Sequence, residues 1–174
     1  MTELKKYLIV DAYNIINQWK FLKDIASHSL ENARDELITI LLSYSKIKNY
    51  NLVVVFDAYN NEEGVKKEEN DNITIIYTKK NQTADSYIEK LVYELPTIYE
   101  IRVATSDYTL QRMILTSGGI RISALELEKE VEYVLKTSLK QASDKYNQEK
   151  NDIYKNIDKE TIIKLEKFRT ESVE

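Results

Sequence analysis

The 174-residue sequence contains no cysteine. That absence removes disulfides, disulfide-linked partners, thiolate zinc sites and cysteine nucleophiles together, and it suits a reducing cytoplasm. Histidine occurs once, as His28, in a polar stretch where a surface place fits better than a catalytic base. A hydrolase built on this chain would therefore need metal-activated water in place of histidine. Proline is present once and glycine three times, and no Walker A or Gly-rich dinucleotide fingerprint occurs, which removes the commonest nucleotide-binding readings. Long apolar runs are missing too: the longest are of strand length, short of the roughly 20 residues that span a bilayer. The opening "MTELKKYLIVD" does not resemble a signal peptide, so a cytoplasmic protein without a membrane partner is expected. A surplus of positive charge is also lacking. The formal net charge is −4 with lysines and glutamates well mixed, so tight unspecific binding to nucleic acid by electrostatics alone is not expected.

What is present is an alternation of strand and helix patterns in a chain of a length that suits one domain with a helical appendage. Residues 7–11 (YLIVD) form a continuous apolar run typical of a strand buried on both faces. Ser29 reads as the N-cap of a helix whose apolar face carries Leu30, Ala33, Leu37, Leu41 and Tyr44. A second strand, "LVVVFD", ends at Asp57, and the polar stretch "AYNNEEGVKKEENDN" after it has the composition of a flexible surface loop. A third strand, "ITIIYT", leads to a helix capped by Thr83 that ends before Pro96. A fourth, "IRVATS", reaches Asp107 and a helix stopped by Gly118 and Gly119. A fifth, "IRIS", runs into a capping box of Ser123 and Glu126, which opens a long helix to about residue 142. Residues 143–174 read as a polar linker and a short amphipathic helix with Ile162, Ile163, Leu165 and Phe168. This order predicts a mostly parallel five-stranded α/β sheet covered by helices on both faces.

Two of the strands end in the same tetrapeptide, Asp-Ala-Tyr-Asn, at Asp11 and at Asp57. Ligands of open α/β sheets bind beyond the carboxyl ends of the strands, and Asp11, Asp57 and Asp107 all fall there. Asp85, in the first turn of the helix after the third strand, faces the same rim. Each has a bland reading. An aspartate after a strand is often a cap or turn residue, Asp107 taken alone above all, and Asp85 could simply complement its helix dipole. Asp11 and Asp57 abut doubly buried strands, where a carboxylate is costly without a counter-charge, and no Arg or Lys lies within a few residues of Asp57. Four converging carboxylates would repel one another, and a hard divalent cation relieves that. An oxygen-only set favours Mg2+ or Mn2+ over zinc, ions that activate water and stabilise in-line displacement at phosphate. A haloacid-dehalogenase site needs a second Asp where Tyr13 stands, and a receiver domain needs a lysine after the fifth strand where Ser123 and Ala124 stand.

The blocks "YLIVDAYNII", "VVVFDAY", "TKKNQTADSYIEKL" and "VATSDYTLQRMI" together resemble the NYN domain of the PIN-like nuclease superfamily, and most closely its YacP-like branch of ribosome-associated endoribonucleases. The resemblance covers about residues 5–142, with a weaker echo in the terminal helix. It implies a PIN-like three-layer fold and Mg2+- or Mn2+-dependent hydrolysis of single-stranded RNA, with mRNA on the ribosome as the setting. Matched block by block, Asp11, Asp85 and Asp107 fall on the family's acidic positions as metal ligands, Asp57 is a further catalytic candidate as a ligand or a carboxylate behind one, and Asn14 matches the Asn of the first block, where it would position water or a ligand. Ala12 stands where relatives often have Gly.

On that reading residues 1–142 form the nuclease domain and residues 143–174 the linker and terminal helix. Lys66, Lys67, Lys79 and Lys80 flank the rim as candidate phosphate contacts, with a solvated loop as the plain alternative. Arg34 is a weaker one, since such an arginine more often pairs with a helix neighbour such as Asp35. Tyr13 and Tyr59 could stack on bases, although most of thirteen tyrosines must be packing residues. An acidic nuclease held on a ribosome gains effective concentration from that partner. Two other readings stay open: an inactive RNA- or ribosome-binding module with an acidic pocket, and a small-molecule phosphohydrolase.

Overall fold

The structure, a computed structural model, describes residues 4–57, 66–70, 72–79 and 81–156, with side chains left aside at 66–68, 70 and 150–156. Its centre is a six-stranded sheet. β1 (Lys6–Asp11), β2 (Asn51–Phe56), β4 (Ile73–Tyr77), β5 (Glu100–Ala104) and β6 (Ile120–Ile122) are the five strands expected from sequence, and they run parallel. β3 (Lys66–Asn70) is added at one edge, antiparallel to β4. The order is β3-β4-β2-β1-β5-β6.

The stretch read as a surface loop therefore contains a strand, and residues 58–65 of it lie outside the described residues. The physical reason is that an edge strand needs only one row of backbone hydrogen bonds. Charged side chains are common there because they discourage further pairing, so "KKEEN" carries no apolar signal.

The apolar runs of β1, β2 and β5 alternate between two cores, as a strand's period of two requires. Leu8, Val10, Leu52, Val54 and Phe56 face one, with α1 (Ala12–Gln18), α2 (Lys20–Ala26), α3 (Leu30–Lys48) and the start of α6 (Ala124–Asn156). Ile9, Val53, Val55, Ile101 and Val103 face the other, with α4 (Ala84–Glu94) and α5 (Tyr108–Thr116). Each fully buried aliphatic side chain contributes about 1.5–3 kcal/mol, and both layers contain several.

The expected caps are present. Ser29 Oγ accepts from Asn32 N at 3.2 Å, and Thr83 Oγ1 from Ser86 N at 3.2 Å. Ser123 Oγ accepts from Glu126 N at 3.2 Å while Glu126 Oε2 accepts from Ser123 N at 2.7 Å, the reciprocal pair of a capping box. α1 and α2 are short helices that the sequence reading did not place. They meet at Trp19, which is buried and donates its Nε1–H to Ala124 O at 2.8 Å.

The chain divides into two compact units, Met1–Leu135 and Lys136–Glu174. The described part of the second is the continuation of α6 to Asn156, so the helix does not stop near residue 142. No Pro or Gly interrupts residues 143–156, and an exposed Lys145–Glu149 pair at 3.9 Å has the helical i,i+4 spacing. The stripe of Ile162, Ile163, Leu165 and Phe168 lies outside the described residues. Among the described residues no helix is long and apolar enough to cross a membrane.

Candidate active site

The sheet order decides where a site can form. From β1 the chain moves outward through β2 to β4, then returns past β1 to β5 and β6. The gap beyond the carboxyl ends of β1 and β5 is thus the switch point at which ligands of open α/β sheets bind. Asp11 is the last residue of β1, and Asp107 follows β5. Asp57 follows β2, and Asp85 lies in the first turn of α4.

A pocket of about 600 Å3 opens at this rim. Asp11, Asp57 and Asp85 line it together with Asn14, Tyr13 and Arg34. Asp107 is not among its lining residues but acts electrostatically on Asp85. The expected carboxylates are therefore gathered, three in the wall and the fourth beside it.

Each carboxylate is oriented differently. Asp11, 9% exposed, accepts the Asn14 N–H at 3.4 Å as N-cap of α1. Burial pushes its carboxyl up to about 6 despite that bond, and the charges of Asp85 and Asp57 add to the rise. Asp57 Oδ1 accepts from the hydroxyl of buried Thr78 at 3.3 Å. Asp107 caps α5, its Oδ1 accepting from Leu110 N at 2.9 Å, and its own N–H donates to Thr105 Oγ1 at 3.1 Å. Asp85 caps nothing, because Thr83 already serves α4. Its Oδ1 is buried with no hydrogen-bond partner among the described residues, and burial, then the charges of Asp107 and Asp57, raise its pKa.

Among the described residues no three acidic or imidazole side chains stand close enough to hold one ion as placed. The donor chemistry nonetheless fits a hard divalent cation. The lining carboxylates are oxygen donors, they sense one another, and one presents a buried oxygen that no described protein group satisfies.

Asn14 serves the scaffold. Its Oδ1 accepts the Ser106 N–H at 3.0 Å, tying the start of α1 to the segment between β5 and Asp107. Tyr13 forms a wall of the pocket, edge-on to Phe56 at 5.5 Å between ring centroids. Arg34 does not pair with Asp35; it lies over the Tyr13 ring at 5.3 Å and donates to the Tyr13 hydroxyl.

Of the lysines, Lys66 and Lys67 are placed only by backbone, opposite Tyr77 and Ile76 in β3. Lys79 is exposed and does not line the pocket, while Lys80 and Tyr59 lie outside the described residues. His28 is exposed, as expected. The sequence reading missed Thr78 and Thr105, both fully buried. Their signal was a hydroxyl directly after an apolar strand, a position where a buried donor finds a strand-end carboxylate.

With this geometry in hand, three comparisons bear on kinship. A family model described as YacP-like NYN domain matches residues 8–170. A Bacillus subtilis (strain 168) protein described as "Uncharacterized protein YacP" is 45% identical over 128 residues, 73% of this chain and 75% of that protein. The crystal structure of Rae1 (YacP) from Bacillus subtilis superposes with a TM-score of 0.69 at 40% identity, covering 94% of each chain. A tryptophan-to-leucine mutant of that protein gives 0.68 at 40% identity, over 79% of this chain and 81% of that one. A sheet with four acidic groups at its switch point, matched in sequence and in structure over most of its length, places this chain in the YacP-like NYN domain family.

Proposed function

We propose that this protein is a divalent-metal-dependent endoribonuclease that hydrolyses single-stranded RNA, with mRNA on the ribosome in the cytoplasm as its substrate. The observation that carries the reading is the pocket at the switch point, where carboxylates repel one another and Asp85 presents a buried oxygen without a partner among the described residues. Asp11, Asp85 and Asp107 would hold Mg2+ or Mn2+, with Asp57 as a further ligand or as the group that orients one. When bound, the ion would neutralise this charge, raise the acidity of a water and stabilise charge developing on the phosphate.

The chain's own contribution is positional. Backbone N–H groups fix Asp11 and Asp107, the Thr78 hydroxyl fixes Asp57, and Asn14 holds the β5 end against α1. These bonds orient the carboxylates before substrate arrives, so little reorganisation is needed in the transition state. Lys66, Lys67 and Lys79, with Lys80, are the candidates for RNA phosphates beyond the pocket. The size of the pocket suits an unpaired strand, and the acidic net charge suits a ribosome that delivers the RNA.

The test is cleavage of an end-labelled single-stranded RNA with Mn2+, with Mg2+ and with EDTA, by the parent and by Asp85→Asn. Cleavage by the parent that EDTA and the substitution both abolish is expected. RNA binding without cleavage under every metal condition would leave an inactive binding module instead. Hydrolysis of a nucleoside monophosphate ester but not of RNA would make it a small-molecule phosphohydrolase.

A further inference from the structure

Among the described pocket-lining residues Arg34 is the one cation. Its setting is unusual for an arginine that serves only the fold. No described carboxylate pairs with it, and among the described residues its buried Nε has no hydrogen-bond partner. A buried donor left unmet costs about 1–3 kcal/mol, so a folding role alone would favour an ion pair or solvent at that nitrogen. The guanidinium is instead held by aromatic faces. It lies 5.3 Å from the Tyr13 ring centroid and 5.8 Å from that of Phe56, and it donates to the Tyr13 hydroxyl. Phe56 is in turn stacked on Tyr77, 5.3 Å away at 15°. The guanidinium is thus fixed by packing in the wall of a cavity whose other described charged walls are carboxylates.

We infer that Arg34 is the substrate-phosphate anchor of this site: it binds a phosphodiester of the RNA inside the carboxylate pocket and positions the strand over Asp11 and Asp85. The inference rests on the nuclease reading and adds a specificity-determining residue to it. A polyanion entering a wall of carboxylates meets repulsion that a bound cation relieves at only one point. A fixed guanidinium opposite supplies the second, and its planar donor fork suits phosphate oxygens. The anchor sits on α3 while Asp85 sits on α4, across the sheet's rim. The strand would therefore cross the rim between the two helical layers, with a base able to lie against the Tyr13 edge.

Binding and cleavage are tested separately. For binding, Asp11→Asn prevents turnover in EDTA and serves as background, with a fluorescein-labelled uridine 12-mer read by anisotropy across a salt series. Adding Arg34→Met should weaken affinity about tenfold at low salt and reduce the slope of log K against log salt by about 0.7, the value for one phosphate contact on a single strand. Arg34→Lys should recover the slope but not the full affinity, since it restores a charge without the fork. In the otherwise unchanged protein with Mn2+, Arg34→Met should raise KM more than it lowers kcat. Unfolding midpoints check that each variant folds. Equal affinity and slope for the Arg34→Met pair overturns the anchor even if the parent cleaves RNA. Loss of one contact in binding alongside a parent that never cleaves overturns the nuclease chemistry and leaves the anchor standing.

Discussion

Replacing Asp11 by Asn should make the metal-free protein more stable at neutral pH and leave it nearly unchanged in acid. Asp11 is buried at the end of β1, and its folded pKa lies at about 6 against 3.8 for an ordinary aspartate. At about 1.4 kcal/mol per pH unit, holding the carboxylate ionised costs the folded state about 3 kcal/mol once both states are ionised. The sign follows from a raised carboxyl pKa. Below pH 3.8 both states are protonated and there is no cost; between 3.8 and 6 the folded state holds the extra proton and stability falls as pH rises; above 6 the cost is complete. By this linkage the cost is about 1 kcal/mol at pH 4.5 and about 3 kcal/mol at pH 7.5.

Asparagine is as good an N-cap as aspartate, and the attraction of the carboxylate to the start of α1 is already contained in its raised pKa, so the remaining loss is an imperfect fit of the amide to Thr105, about 1 kcal/mol. The net expectation in EDTA is a gain of about 1–2 kcal/mol at pH 7.5 and about zero at pH 4.5. For a chain of this size that is roughly a 3–6 °C rise in Tm at the higher pH. Urea unfolding followed by circular dichroism at the two pH values measures it. Mn2+ should raise the parent's Tm by mass action and the variant's much less, and the variant should not cleave RNA. A variant equally destabilised at both pH values would refute the argument, because Asp11 would then be a structural carboxylate whose charge the fold uses.

Two other predictions concern the scaffold. Arg102 holds Glu130 by two bonds, at 3.0 and 2.8 Å, and Tyr44 donates to the same carboxylate at 2.6 Å, which takes Glu130 down to about 2. A lowered carboxyl pKa has the opposite sign to that of Asp11: its stabilisation is complete above the ordinary value of 4.5 and is lost as pH falls toward 2. Arg102→Met should therefore cost about 2–3 kcal/mol at pH 7 and flatten the acid limb of the pH–stability curve; an unchanged acid limb would show that the network contributes nothing. Ending the chain after Lys145 should preserve the sheet unit, since both cores lie within Met1–Leu135, and far-UV circular dichroism of an unfolded product would place residues 146–174 in the core instead.

The five parallel strands were legible because strands buried on both faces must be continuous apolar runs, and their order along the chain fixes which ends share a rim. β3 was not, because a charged strand such as Lys66–Asn70 satisfies its backbone on one side only and buries little that a hydropathy pattern could register. α1 and α2 were missed for a related reason. Each has seven residues, too few for a helical period to stand out, and their boundary is set by Trp19 reaching Ala124 across the fold. α6 was ended too early because its apolar stripe thins after Leu135, where burial stops but nothing breaks the helix. The surroundings of Arg34 were missed on similar grounds. Neighbours within one helix suggested Asp35, whereas its partners are Tyr13 and Phe56, brought to it only by the packing of α3 on β1, α1 and β2.

Reading each aspartate as either a cap or a ligand posed an alternative that the geometry dissolves. A carboxylate has two oxygens. At Asp107 one of them accepts a backbone N–H and so fixes the group, the cap using only that oxygen, and Asp11 is held in a similar way. Capping is then the means by which a strand-end carboxylate is aimed, and helix propensity and site construction select the same residue. Asp85 is the exception that carries the functional argument. Thr83 relieves it of capping, its Oδ1 meets no donor among the described residues, and the charges of Asp107 and Asp57 act against its ionisation. A fold under selection for stability alone would replace such a group, because the described residues offer its charge no compensation. Its presence at the switch point makes sense if the compensation comes from outside the chain, as a cation would supply it, and on the proposed reading that cation would share the pocket with the phosphate held by Arg34.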